Sequence, residues 1–126
     1  MVQDRNRLVL AALQGIPALL FFNVADQTGY RREQVADVFD TSLKTFQRYE
    51  REHRNLNPQD SEKVLKMQAL FSRGAEVFGS SEAFRRWMDK PAFGLGNQVP
   101  FSLLRTSGGI DLIMDELVRI DFGDLA

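Results

Sequence analysis

The stretch from Asn57 to Gly79 constrains this chain most. Asn57-Pro58 reads as a helix start, with Asn in the capping position and Pro in the first turn, where its missing N–H costs nothing. Apolar residues then fall at Val64, Met67, Leu70, Phe71, Ala75 and Phe78, mostly in steps of three and four, the period of one helix face. Gly79 takes the role of glycine beyond a helix end. A helix of this length with one apolar stripe must be covered by other elements, and the rest of the sequence offers helices. No run of strict apolar–polar alternation reads as a strand, so the chain is all-α.

Punctuation places the remaining helices. Pro17 fits the start of a helix of about ten residues closing near Thr28-Gly29. Arg31–Phe39 carries Val35, Ala36, Val38 and Phe39 as a short amphipathic helix. Asp40-Thr41-Ser42 is a polar break, with Thr41 or Ser42 able to cap a helix over Leu43–Glu52. After Gly79, Ser81 opens a short helix with Phe84, Trp87 and Met88 on one side. Lys90–Pro100, with two prolines and two glycines, reads as a structured loop. The last helix, about Gly109–Asp121, puts Ile110, Ile113, Met114, Leu117 and Ile120 on one face. The expected organisation is an N-terminal helical region over 1–56, a long connecting helix over 57–79 and a second small helical domain over 80–126.

With 126 residues, 44% of them hydrophobic, the chain can bury a core, and its net charge of −1 draws it globally to neither nucleic acid nor acidic membrane. It has no cysteine, which removes disulfides and thiolate metal sites and suits a cytoplasmic location. The single histidine, His53, stands among Arg51, Glu52 and Arg54 and reads as a solvated side chain rather than a catalytic one. The apolar run Leu8–Phe22 is broken by Gln14-Gly15 and Pro17 and is shorter than the ~20 residues of a membrane helix. It reads as a buried helical entry, and no membrane association is expected.

Arg32–Arg51 has the make-up of a helix-turn-helix. Ala36 is the small residue needed where two helices cross closely, and Phe46 and Tyr49 supply the second helix's inward face. The turn normally holds glycine in a left-handed conformation; Asp40 stands there, a residue that tolerates it. The second helix then presents Ser42, Leu43, Lys44, Thr45, Gln47, Arg48 and Arg51. Gln and Arg read adenine and guanine edges, and Lys and Ser grip phosphates. Four bases (Lys44, Arg48, Arg51, Arg54) against two acids (Glu50, Glu52) give +2 over Ser42–Arg54. The residues themselves leave two readings open, a DNA-reading helix and an ordinary solvated helix face.

No enzyme motif survives. The Gly74…Gly79 spacing lacks the lysine of a phosphate-binding loop and ends a helix, while Gly94-Leu95-Gly96 has no third glycine and no preceding strand. The carboxylates form no pair or metal-ligand spacing, so neither catalysis nor a cofactor is expected. Trp87, Phe93 and Phe101 read as core aromatics holding the Lys90–Pro100 loop against the long helix.

An ordered series of residues carries a resemblance. It runs Ala75-Glu76-Val77-Phe78-Gly79, Ala83 to Trp87, Pro91, Gly94-Leu95, Pro100, Leu103-Leu104-Arg105-Thr106, Gly108-Gly109, Leu117-Val118-Arg119-Ile120 and Gly123, with Thr45–Tyr49 and Leu56-Asn57-Pro58 upstream. The sequence resembles the Xre/MbcA/ParS-like antitoxins. That implies an N-terminal helix-turn-helix that represses its own operon and a C-terminal domain that neutralises a toxin. The usual partner is a RES-domain protein that consumes NAD, or a related ADP-ribosylating toxin.

The resemblance also implies that the C-terminal segment meets the toxin's active-site entrance. The candidate toxin-binding residues are Leu117, Ile120, Asp121, Phe122, Gly123, Asp124 and Leu125, with Phe122 and Leu125 as apolar anchors. Thr106–Ala126 has one base against five acids, which suits an arginine-lined phosphate pocket but equally suits solvation. A homodimer, or a larger assembly with the toxin, is expected because one helix-turn-helix covers only a half-site. Two other functions remain on the residues alone: a regulator whose C-terminal half only dimerises or senses a ligand, and an interaction module with an architectural helix-turn-helix.

Overall fold

Seven α-helices and two 3-10 segments account for most of the chain in the computed structural model, which describes residues 2–123. They are α1 (Val2–Gln14), α2 (Leu19–Thr28), α3 (Arg32–Val38), α4 (Leu43–Arg51), α5 (Pro58–Phe78), α6 (Ser81–Met88), the 3-10 segments Phe93–Leu95 and Pro100–Arg105, and α7 (Ser107–Asp121). Among the described residues there is no strand, only the isolated bridges Pro17–Asn55 and Ala92–Gln98. The all-α expectation holds. No helix among the described residues is long and apolar enough to cross a membrane. The chain divides into two compact units, Met1–Gln68 and Ala69–Ala126, with the boundary inside α5.

In the first unit, an aromatic cluster fixes α2, α3 and α4. The Phe46 ring stacks on Phe21 at 3.8 Å between centroids, and Phe39 meets both edge-on at 5.5 and 5.6 Å. Ala36 is fully buried, as the close crossing of α3 and α4 requires. Asp40 does adopt the left-handed conformation, with φ 57°. Ser42 caps α4, its hydroxyl accepting from the Thr45 N–H at 3.3 Å. Asn57 caps α5, accepting from the Asp60 N–H at 2.7 Å.

Lys63 of α5 is buried, which the sequence did not announce. Its ammonium donates to the Val38 carbonyl at the end of α3 and lies over the Phe39 ring. A cation there meets the negative end of the helix and satisfies an orphan carbonyl, so one side chain ties α5 to the turn between α3 and α4. Burial pushes the nearby Asp60 carboxyl above the usual carboxylate range, with Lys63 and the Asn57 side chain pulling the other way.

Two expectations about the first unit are corrected. Pro17 lies ahead of α2, which begins at Leu19; its segment instead zips to the stretch before α5, through Ala18 N–H to Arg54 O at 3.0 Å and Leu56 N–H to Ile16 O at 2.8 Å. The Leu8–Phe22 entry is only partly buried. Ala12 and Ile16 are buried, but Val9, Leu10 and Leu13 on the other side of α1 are exposed, and so is Leu19 at the start of α2.

In the second unit, Phe84 is completely buried, its ring 5.2 Å from Phe71, 5.8 Å from Phe78 and 5.9 Å from Trp87. This packs α6 on the last turns of α5 and requires Gly74 where the Phe84 ring crosses, since a β-carbon there would overlap the ring. Ser80 caps α6 by accepting from the Ala83 N–H, and Thr106 caps α7 by accepting from Gly109 at 2.9 Å. Ile110, Ile113 and Leu117 form the buried face of α7.

Candidate functional site

Helix α4 is the first candidate surface. With 3.6 residues per turn, Lys44, Gln47, Arg48 and Arg51 stand at i, i+3, i+4 and i+7, and all four are exposed while Phe46 on the opposite side is fully buried. The stripe therefore faces away from the unit's core. Arg48 lies against the Tyr49 ring at 5.3 Å, which limits its swing without covering it. Gln47 and Arg51 also border an open groove shared with Leu19, Phe22 and Arg32.

Of the other two candidate residues here, Ser42 is exposed but its hydroxyl is engaged as the helix cap, and Thr45 is half-buried within hydrogen-bond distance of it at 3.2 Å. Beside the groove, Arg32 grips Asp26 with two bonds of 2.9 and 2.8 Å, holding that carboxyl below the usual carboxylate range and raising the guanidinium's own affinity for its proton.

His53 has a conformational task that its charged neighbours hid. It stands just past the end of α4 with φ 56°; its N–H bonds to Glu50 O, and the next N–H, of Arg54, reaches back to Tyr49 O at 2.9 Å. That pair of bonds is the Schellman arrangement, usually made with glycine.

The second candidate surface lies in the unit that ends with α7. Leu117 is wholly buried, so its side chain is core and offers a partner nothing in this conformation. Ile120 is half-buried. Asp121 is paired with Arg73 of α5, and Phe122 follows it, 77% exposed, as the cap of α7. Gly123 is left-handed, φ 74°, where glycine is the residue of choice. Asp124 and Leu125 lie outside the described residues.

The acidity of this region is partly spent internally. Glu116 is buried and accepts from Arg119 Nε and Nη2, both at 2.7 Å, and Asp121 answers Arg73. Glu116 and Asp121 are thus engaged by arginines, which weakens an argument from bulk negative charge.

The loop aromatics divide. Trp87 stacks against Phe84 with planes 17° apart and is half-buried, and Phe101 is half-buried. Phe93, expected in the core, is 90% exposed. The loop is also held differently from expectation: it packs on α7, where Gly94 lies directly against the buried Glu116 carboxylate.

Comparison with known proteins agrees with this division. Residues 7–68 match the antitoxin Xre-like helix-turn-helix domain, and residues 73–123 match the antitoxin Xre/MbcA/ParS C-terminal toxin-binding domain. No curated protein matches the chain. An Xre-like helix-turn-helix followed by a toxin-binding domain places this chain in the Xre/MbcA/ParS-like antitoxin family.

Proposed function

We propose that this chain is the cytoplasmic antitoxin of a type II toxin–antitoxin pair, that its second unit silences a NAD-consuming toxin of the RES type or a related ADP-ribosylating toxin, and that α4 represses the shared operon. The observation that carries the DNA half is the exposed stripe Lys44, Gln47, Arg48 and Arg51 on the second helix of a helix-turn-helix. These are the side chains that read base edges and neutralise phosphates in a major groove. Ser42 and Thr45, at the start of α4, sit where such helices approach the backbone. The toxin half rests on the toxin-binding family match over 73–123, and the NAD-consuming chemistry of the partner on what the family resemblance implies.

A homodimer draws support from α1. Val9, Leu10 and Leu13 are exposed on a helix whose inward side is already used, and a second copy would cover them. Two copies would also present two reading helices to a symmetric operator.

The DNA half is tested by titrating the operon's own promoter with the purified chain at several salt concentrations. Retarded DNA with an affinity that falls steeply as salt rises is expected, because phosphate contacts release counterions. Binding no tighter than to random duplex would leave the helix-turn-helix architectural.

A further inference from the structure

We propose that the loop of residues 91–98 presents Phe93 as a preformed anchor for the toxin, and that the cleft behind it, lined by Trp87, Ala92 and Ile120 with Arg119 at its rim, receives an apolar side chain in return. This rests on the toxin-binding role of the second unit and names the surface that performs it.

The Phe93 ring is 90% exposed, more than any other large hydrophobic side chain among the described residues. This loop is not slack. Ala92 is buried, and its N–H bonds to Gln98 O at 3.0 Å. Its carbonyl accepts from both Leu95, at 3.0 Å, and Asn97, at 2.9 Å. Gly96 and Asn97 turn the chain through left-handed conformations, φ 65° and 63°, and Gly94 seats the backbone on the Glu116 carboxylate. Phe93 therefore projects from a closed, hydrogen-bonded turn, so docking it would require little further ordering of the backbone.

The ground around the ring also has interface character. Phe93, Trp87, Ala92 and Ile120 line a cleft of about 330 Å³ together with Arg119. Arg119 is half-exposed, and the buried Glu116 holds its guanidinium in place by two bonds, leaving its remaining N–H groups for a partner at the rim. Aromatic and arginine side chains are the residues enriched at interface cores. The fitting partner surface has an apolar recess for Phe93, one projecting apolar side chain for the cleft and carbonyl or carboxylate oxygens facing Arg119.

The test uses the full chain, the protein encoded by the adjacent reading frame and the Phe93→Ala variant, with affinity measured by calorimetry. Phe93→Ala should weaken binding by about 30-fold or more, the loss of an interface anchor, while the melting temperature stays that of the parent chain because the ring contributes little to the fold. Parent and variant binding within twofold of one another would overturn the anchor and leave the antitoxin reading standing. Failure of the parent chain to bind the neighbour at all would overturn both. A fall in the chain's own mass by light scattering on Phe93→Ala would assign the ring to a contact between copies and overturn the proposal too.

Discussion

Replacing Gly74 by alanine sets two known effects against each other. Within a helix, Gly→Ala ordinarily stabilises by up to ~1 kcal/mol, since alanine has less backbone freedom to lose. Here the added methyl would enter the Phe84 ring. That ring has no room to retreat: it is fully buried, with Phe71, Phe78 and Trp87 at 5.2, 5.8 and 5.9 Å. Forcing extra volume into such a core costs ~1–3 kcal/mol, and the lack of slack places this site toward the upper end. The net expectation is a loss of about 1–2 kcal/mol, a fall in melting temperature of about 4–8 °C for a chain of this size. Because α6 would be pushed from α5, toxin binding should fall with it while promoter binding persists. Thermal unfolding followed by circular dichroism checks the first part. A rise in melting temperature would mean that helix propensity outweighs the overlap and that the Phe84 packing is looser than described.

The other perturbations address separate elements. His53→Gly should stabilise the chain by about 1 kcal/mol, read from urea unfolding, because it relieves a left-handed side chain at the end of α4; a loss would give the imidazole a contact of its own. Arg48→Ala and Gln47→Ala should each weaken promoter binding by ~1–3 kcal/mol in a gel-shift titration and leave toxin binding intact, whereas unchanged titrations would move the reading surface off α4. The Asp26 carboxyl should titrate below its ordinary value by NMR and return toward it in Arg32→Gln. Since folding depresses it, the small stability it adds is present at neutral pH and is lost as pH falls through its folded value; an unshifted Asp26 would show that the ion pair does not persist in solution.

Much of the fold was legible because it rests on local rules. The stripe from Val64 to Phe78, the caps at Ser42 and Asn57 and the stop at Gly79 are short-range signals, and Asp40 took the left-handed turn that its side chain tolerates. What stayed hidden depends on distant partners. Lys63 looks like a surface lysine until the Val38 carbonyl and Phe39 ring arrive beside it, and Glu116 like a surface acid until Gly94 settles on it. Residue type pointed Phe93 inward, but the Ala92–Gln98 turn and the buried Glu116 beneath it hold the ring outside. The apolar run Leu8–Leu13 gave no sign of which side would be covered, and half of it faces out. At the other end, the periodic pattern puts Leu117 on the apolar face of α7 while the family resemblance makes it a contact residue, and its burial puts the side chain in the core.

Purified components test most directly whether this chain silences a NAD-consuming neighbour. The protein encoded beside it, incubated with NAD, should deplete the dinucleotide, and adding the full chain at equal concentration should stop that depletion. Persistent NAD loss in the presence of a stable complex would mean that the chain binds its neighbour without blocking it. A neighbour that leaves NAD untouched would contradict the proposed chemistry of the partner altogether.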